Sequence, residues 1–177
     1  MLFRSTDKSR EEICARTSLE YPLSFQNSFL VVPVPENILR KMKLSLKFRA
    51  RNIDEGLLLY GVQNSDGSGD FFSLGINDKF LEFQFDSGSG SAVLQSKGKV
   101  KTNTWHRFTI ERHLRNGTLT LDDDPPVSGQ SPGNTRGLNV KHMFVGGSND
   151  SLSNRAGISE SFDGCITEIQ KIGRAHV

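Results

Sequence analysis

The sequence predicts an all-β chain folded as a sandwich of two antiparallel sheets. Three observations carry that expectation. Short runs alternate apolar and polar residues with period two, as a strand does when one face is buried and the other wet. Glycine, asparagine and proline signals punctuate those runs. No stretch keeps a long helical period, and about a dozen short strands in one domain require two packed sheets.

The elements follow in order. Residues 1–20 have no clear period and many charges, so 1–22 reads as a linker or the end of a preceding module and 23–171 as the domain. The clearest strand runs from Lys41 to Arg51, with Met42, Leu44, Leu46, Phe48 and Ala50 on one face. Lys41, Lys43, Ser45, Lys47, Arg49 and Arg51 point the other way. Leu57 to Val62 is a more continuous apolar run. Phe72, Leu74 and Ile76 alternate until Asn77-Asp78 turns the chain, and Leu81, Phe83 and Phe85 alternate until Ser87-Gly88-Ser89-Gly90 breaks the pattern. Ala92 to Gln95 is a short strand. Trp105 to Glu111 is another, with His106, Phe108 and Ile110 sharing a face. Asn116-Gly117 is a hairpin signal leading to Leu119 and Leu121. Met143 to Val145 and Cys165 to Ile169 complete the set. Pro125-Pro126 and Pro132-Gly133 mark 122–137 as a surface loop. The expected core is Leu44, Leu46, Phe48, Leu58, Phe72, Leu74, Leu81, Phe83, Phe108, Ile110, Leu119, Leu121, Val145 and Ile166. The last six residues, 172–177, are what a common sequencing adapter yields when translated in one frame, and they are set aside as an artefact.

The chain has 177 residues and a formal net charge of +2. That is one domain with room for a proper core. The small net charge confines any electrostatic function to a local patch. Nucleic acid is a poor fit, because the basic residues are not interleaved with exposed aromatics. No apolar run approaches the roughly 20 residues of a membrane span. Met1 to Arg10 lack the apolar stretch of a signal peptide, yet the rest reads as extracellular, so Met1 is taken as an internal residue or an incomplete start.

Catalysis finds little footing. A sandwich glycosidase needs two carboxylates across the scissile bond, and Glu82 with Asp86 offers one plausible second acid. Asp122, Asp123 and Asp124 precede Pro125 and read as a turn cluster. No Gly-x-Ser-x-Gly elbow occurs. His106 and His113 have no cysteine near them, which disfavours zinc. His106 alternates with the core set and reads as a packed residue, and Trp105 reads as a structural anchor.

Several motifs occur in a telling order. These are Gly56-Leu57-Leu58-Leu59-Tyr60, Gly69-Asp70-Phe71-Phe72-Ser73-Leu74, Leu81-Glu82-Phe83 and Trp105-His106-Arg107, then Leu119-Thr120-Leu121-Asp122, Val145-Gly146-Gly147 and Phe162-Asp163-Gly164-Cys165-Ile166. Each is weak alone, but the order and spacing over residues 25–170 resemble a laminin G-like (LNS) domain. The resemblance implies a jelly-roll-like sandwich of two curved antiparallel sheets, secreted to the extracellular matrix or cell surface, which binds glycans, dystroglycan or other receptors. It also implies that the cysteine of the Gly-Cys-Ile motif pairs with one further downstream. On that reading Cys165 is an orphan and Cys14 belongs to a preceding module. The alternative is a direct Cys14–Cys165 bridge.

The resemblance further implies one calcium ion at a rim of the sandwich. Mapped onto this sequence, its ligands are the Asp70 carboxylate, the Asn139 side chain and the carbonyls of Ser87 and Gly137. Calcium takes hard oxygen donors in mixed shells. Asn139 stands where many relatives have Asp. That leaves one ionised ligand and an expected affinity on the order of 10⁻⁴–10⁻³ M, the range of extracellular modules. The plainer reading is that Asp70 caps a turn and Asn139 satisfies a loop.

Two basic ladders stand apart from that rim. Lys41, Lys43, Lys47, Arg49 and Arg51 share one strand face, and Lys97, Lys99 and Lys101 alternate in a second, with Arg107, Arg112 and Arg115 later in sequence. Heparan sulfate or another acidic glycan would neutralise either one, while the plainer reading is a solvated sheet face that resists aggregation. Asn116-Gly117-Thr118 and Asn149-Asp150-Ser151 fit the N-glycosylation pattern. The sequence thus predicts a calcium-assisted module that recognises acidic glycans or dystroglycan-like receptors. A structural matrix domain without its own ligand is the alternative, followed by a carbohydrate-active sandwich enzyme.

Overall fold

The run around residue 45 sets the architecture. In the computed structural model, which describes residues 22–134, 137–149 and 155–169, Lys41–Ala50 is a strand whose Met42, Leu44, Leu46, Phe48 and Ala50 are all buried. Around it the described residues form twelve strands. These are β1 (Leu23–Phe25), β2 (Leu30–Val32), β3 (Lys41–Ala50), β4 (Glu55–Val62), β5 (Phe71–Asn77) and β6 (Phe80–Asp86), then β7 (Ser91–Lys99), β8 (Trp105–His113), β9 (Asn116–Leu121), β10 (Val127–Gln130), β11 (His142–Val145) and β12 (Gly164–Thr167).

They pair into two six-stranded antiparallel sheets. One has the order β1-β12-β3-β8-β9-β10 and the other β2-β11-β4-β5-β6-β7. Every position expected in the core is buried. The inner faces of the two sheets meet in one cluster rich in aromatics, where Phe48 packs at 6.1 Å from Phe108 and edge-on at 6.2 Å from Phe162. Period two explains why: a strand that buries one face must alternate, and both sheets have only one face to bury against each other.

Three features depart from the expectation. Segment 122–137 is not all loop, because β10 pairs with β9 as the edge of its sheet. β10 alternates half-buried and exposed residues rather than apolar and polar ones, so it carries no apolar stripe to announce it. The second departure is a smaller apolar cluster on the outer face of the second sheet. There Leu57, Tyr60, Val62, Phe71 and Phe144 are covered by Ala156 and Ile158. This explains why Leu57 to Val62 is apolar throughout: β4 is buried on both faces. The third is Cys165, expected to be an orphan but engaged in a disulfide. The chain has one other cysteine, Cys14, which lies outside the described residues, as do most of the 1–22 segment and all of 172–177.

Candidate functional site

Strand ends decide which loops meet. The β5–β6 ladder ends at the pair Phe71↔Asp86, so one more step of the same register sets Asp70 opposite Ser87. Asp70 also closes the β4–β5 loop. Its N–H donates to Gln63 Oε1 at 3.0 Å, and the Gln63 N–H donates back to the Asp70 carbonyl at 2.9 Å. Gly69 adopts φ +87 where a Cβ would lie 2.4 Å from Gln63 Oε1, so glycine alone fits beside the aspartate. Within the loop, the Ser68 hydroxyl and N–H donate to Asp66 Oδ1 at 2.6 and 2.9 Å, which holds the Asp66 carboxyl below its ordinary range.

The Asp70 carboxylate joins three loops. Its Oδ2 accepts the Asn139 N–H at 2.8 Å. Its Oδ1 faces the 87–90 loop, where a Cβ on Gly88 would lie 3.8 Å away. That loop is braced from below by Asp86, whose Oδ1 accepts from the Gly88 and Gly90 N–H groups at 2.8 and 3.3 Å. Asp70, Ser87 and Asn139 therefore come to one end of the sandwich, as the sequence suggested. Asn139 reaches Asp70 through its main chain, and its side chain makes no hydrogen bond among the described residues. Gly137, two residues earlier, packs against Leu39.

Arg112, grouped in the sequence with the basic residues that a glycan would neutralise, lies beneath the rim instead. Arg112 is 2% exposed, and its guanidinium donates to the carbonyls of Leu114, of Ile38 at 2.8 Å and of Leu39 at 2.7 Å. Burial pulls its pKa down to about 10, with the charge of Asp70 working against that pull. Arg112 ends the inner face of β8 after His106, Phe108 and Ile110, and a fixed positive charge in a core register is the signal that could have placed it. A second arginine, Arg155, donates to the carbonyls of Gly67 at 2.8 Å and Gly69 at 2.5 Å and lies 4.5 Å over the Phe71 ring. It thus holds the segments on both sides of Asp70. Among the described residues, no group of three or more His, Cys, Asp or Glu is gathered for a metal.

The basic ladders occupy outer faces of different sheets, since β3 and β7 belong to opposite layers. Lys43 on β3 pairs with Glu111 at 2.9 Å, and Arg51, just past the strand, approaches Asp163 at 4.0 Å. Cross-strand register sets Lys47 opposite Arg107 and Arg49 opposite Trp105. Arg107 pairs with Glu168 at 2.7 Å, whereas Lys47 and Arg49 have no acidic partner among the described residues and the Arg49 Nε is buried without a hydrogen bond. On the second ladder Lys99 lies 5.6 Å over the Phe80 ring, and Lys97, Lys99 and Lys101 are exposed.

His106 is 6% exposed, as its place in the core register implied. Its Nε2 accepts the Lys101 N–H at 3.0 Å, which leaves Nδ1 to donate to Asp122 Oδ2 at 2.6 Å. Both ring nitrogens are thereby committed to structure. The Asp122 Oδ1 accepts the Arg107 N–H at 2.8 Å, so the first acid of the turn cluster is committed too.

Comparison with known proteins places these features. The laminin G domain pattern matches residues 48–175. Bovine (Bos taurus) pikachurin is 33% identical over 159 residues, which cover 88% of this chain and 16% of that protein. The mouse (Mus musculus) basement membrane-specific heparan sulfate proteoglycan core protein is 34% identical over 155 residues, covering 86% of this chain and 4% of that protein. The chain thus spans a small part of the relatives it matches. Among solved structures, domains LG4-5 of the mouse laminin alpha1 chain superpose with a TM-score of 0.74 at 24% identity, covering 94% of this chain and 44% of that one. A Ruminococcus gnavus sialidase CBM40 superposes with a TM-score of 0.60 at 11% identity, covering 85% of this chain and 89% of that one, which is a likeness of fold.

Proposed function

Because this chain belongs to the laminin G domain family, we propose that it works as an extracellular binding module whose rim holds calcium and, through it, an acidic glycan such as that of a dystroglycan-like receptor. One relative is a basement-membrane proteoglycan core protein, which supports a matrix-binding role over catalysis. The observation that carries the finer reading is the Asp70 carboxylate, set between the Asn139 loop and the Ser87 loop.

The donors suit the ion. Asp70, the Asn139 side chain and nearby carbonyls are all oxygen donors, which calcium takes and softer metals do not prefer. Asp70, Asn139, Ser87 and Gly137 would hold it, and calcium bound there would offer open coordination positions to carboxylate and hydroxyl oxygens of a sugar. Arg112 below Asp70 is a resident cation that opposes a second positive charge, which reinforces the expectation of weak affinity, on the order of 10⁻⁴–10⁻³ M.

Calorimetry tests this directly. The parent chain should bind calcium in that range, and Asp70→Ala should abolish it. On glycan-coated surfaces, a chelator should remove binding to the acidic glycan. Calcium binding by Asp70→Ala equal to the parent would place the site elsewhere, and glycan binding indifferent to chelator would defeat the rim mechanism.

A second reading rests on Lys47 and Arg49, cations without an acidic partner among the described residues, with Arg49 opposite Trp105. Heparan sulfate would be held there by charge alone. Its binding should survive chelation and weaken with salt, because exposed charges are screened over about 8–10 Å at ordinary ionic strength.

A further inference from the structure

We propose that Asn116 carries an N-linked glycan, and that this glycan covers the rim end of the β3 basic ladder. The acceptor sequence is Asn116-Gly117-Thr118, and the fold presents it in a usable way. Asn116 opens β9 directly after the tight β8–β9 turn and is exposed. Period two places Asn116 and Thr118 on the same outer face of the sheet, with Gly117 turned inward. Only glycine fits at that middle position, since a Cβ there would lie 2.5 Å from the Phe85 ring. The Asn116 Oδ1 accepts from Gln130 Nε2 at 3.0 Å, which fixes the amide so that Nδ2, the atom that takes the sugar, is left without a hydrogen bond among the described residues. The other acceptor sequence begins at Asn149, and its Asp150 and Ser151 lie outside the described residues.

The attachment step is a group transfer available to any chain in the secretory route that the matrix relatives follow. The Asn116 Nδ2 forms a bond to the anomeric carbon of a lipid-diphosphate-linked oligosaccharide. The bond from that carbon to the diphosphate oxygen breaks, the lipid diphosphate leaves with the electron pair, and Nδ2 gives up one proton.

Register shows what the glycan would cover. The cross-strand row through Asn116 runs Lys41, His113, Asn116, Gln130, and the next row runs Lys43, Glu111, Thr118, Ser128. The glycan therefore stands two strands from Lys41 and Lys43, a bulky hydrated group on the half of the ladder nearest Asp70. The turn is tied to that end of the molecule: the Leu114 N–H donates to the Arg40 carbonyl at 2.8 Å, and Arg115 Nε donates to the Ser131 carbonyl at 2.9 Å. The half carrying Lys47 and Arg49 stays open. The inference does not depend on calcium.

The test secretes the full chain from mammalian cells behind a cleavable leader. Treatment with a peptide amidase that removes N-glycans should lower its mass, and peptide sequencing by mass spectrometry should find Asn116 converted to Asp. Asn116→Gln and Thr118→Ala should abolish the modification, Thr118→Ser should keep it, and Asn149→Gln should leave it in place. An unmodified Asn116 in the secreted parent overturns the proposal. On a heparin column, Asn116→Gln and Thr118→Ala should both elute at higher salt than the glycosylated parent, with unchanged thermal melts. Co-elution of all three would overturn the covering role.

Discussion

Replacing Tyr60 by Phe should stabilise this protein rather than weaken it. Tyr60 is fully buried on the outer face of β4, its ring stacked 6.2 Å from Phe71 at an interplanar angle of 20°. Its hydroxyl is buried without a hydrogen-bond partner among the described residues. Burial pushes its pKa up to about 12, with the charge of Arg155 working against that rise. A buried polar group left unsatisfied costs about 1–3 kcal/mol, and the cost disappears with the oxygen. Against this stand only the few dispersion contacts of one atom, each about 0.1–0.2 kcal/mol. The net expectation is a gain of about 1 kcal/mol, or roughly 2–4 °C in melting temperature for a chain of this size. The pH dependence has a definite sign. Unfolded tyrosine ionises at about pH 10, while the buried one holds its proton to about 12. Across that window the unfolded state binds fewer protons, so stability falls as pH rises. Tyr60→Phe should lack that loss, and its advantage should be larger at the alkaline end of a series of urea melts than at pH 8. A variant that loses about 1 kcal/mol at pH 8 would show that the hydroxyl is satisfied and would refute the reasoning.

The remaining predictions concern the rim and the core. Arg155→Ala removes two hydrogen bonds to the carbonyls of Gly67 and Gly69 and the contact with Phe71. It should cost about 1–2 kcal/mol, discounted for exposure, and hydrogen exchange should speed up over residues 64–70 while β3 and β8 keep their protection. Equal exchange in the two proteins would show that Arg155 does not hold the loop. Phe48→Ala deletes a fully buried ring packed against Phe108 and Phe162, and denaturant melts should show a loss of about 3–5 kcal/mol. A loss below about 1 kcal/mol would mean that the two sheets close over the gap.

What the sequence disclosed follows from what a strand can encode. β3 has ten residues and five consecutive inward positions, all apolar, so its period is unmistakable. β1 and β2 have three residues each, too few to establish any period, and they join their sheets through backbone pairing that leaves no trace in side-chain pattern. β10 was hidden for another reason: an edge strand against solvent has no core face to advertise. At the rim, Asp70 and Ser87 were legible because they sit one step past a hairpin ladder, and a register extends by counting. Asn139 lies 69 residues from Asp70, and only the likeness to a family could bring the two together. Arg112 was counted with the surface cations, although it lies in an inward register of β8, where alternation predicts an apolar side chain. Its partners are the carbonyls of Ile38, Leu39 and Leu114, and a main-chain carbonyl has no letter in a sequence.

Those carbonyls explain why so polar a residue is tolerated in a core. Each loop at the rim end leaves main-chain oxygens that no strand neighbour can satisfy, and an unmade bond there costs about as much as one gained elsewhere. One guanidinium serves the β2–β3 loop and the β8–β9 turn together, and its charge finds a counterpart in Asp70. Asp70 in turn accepts from the β10–β11 loop through Asn139. The rim is therefore held by an arginine below and a carboxylate above, a frame complete in protein atoms alone. A metal arriving at Asp70 meets a carboxylate already engaged, with one oxygen given to an amide and its charge partly answered by Arg112. Under the calcium proposal, weak and exchangeable binding is the most such a carboxylate would support. On the proposed reading, the ion's remaining coordination positions would then be left for a ligand rather than filled by the protein.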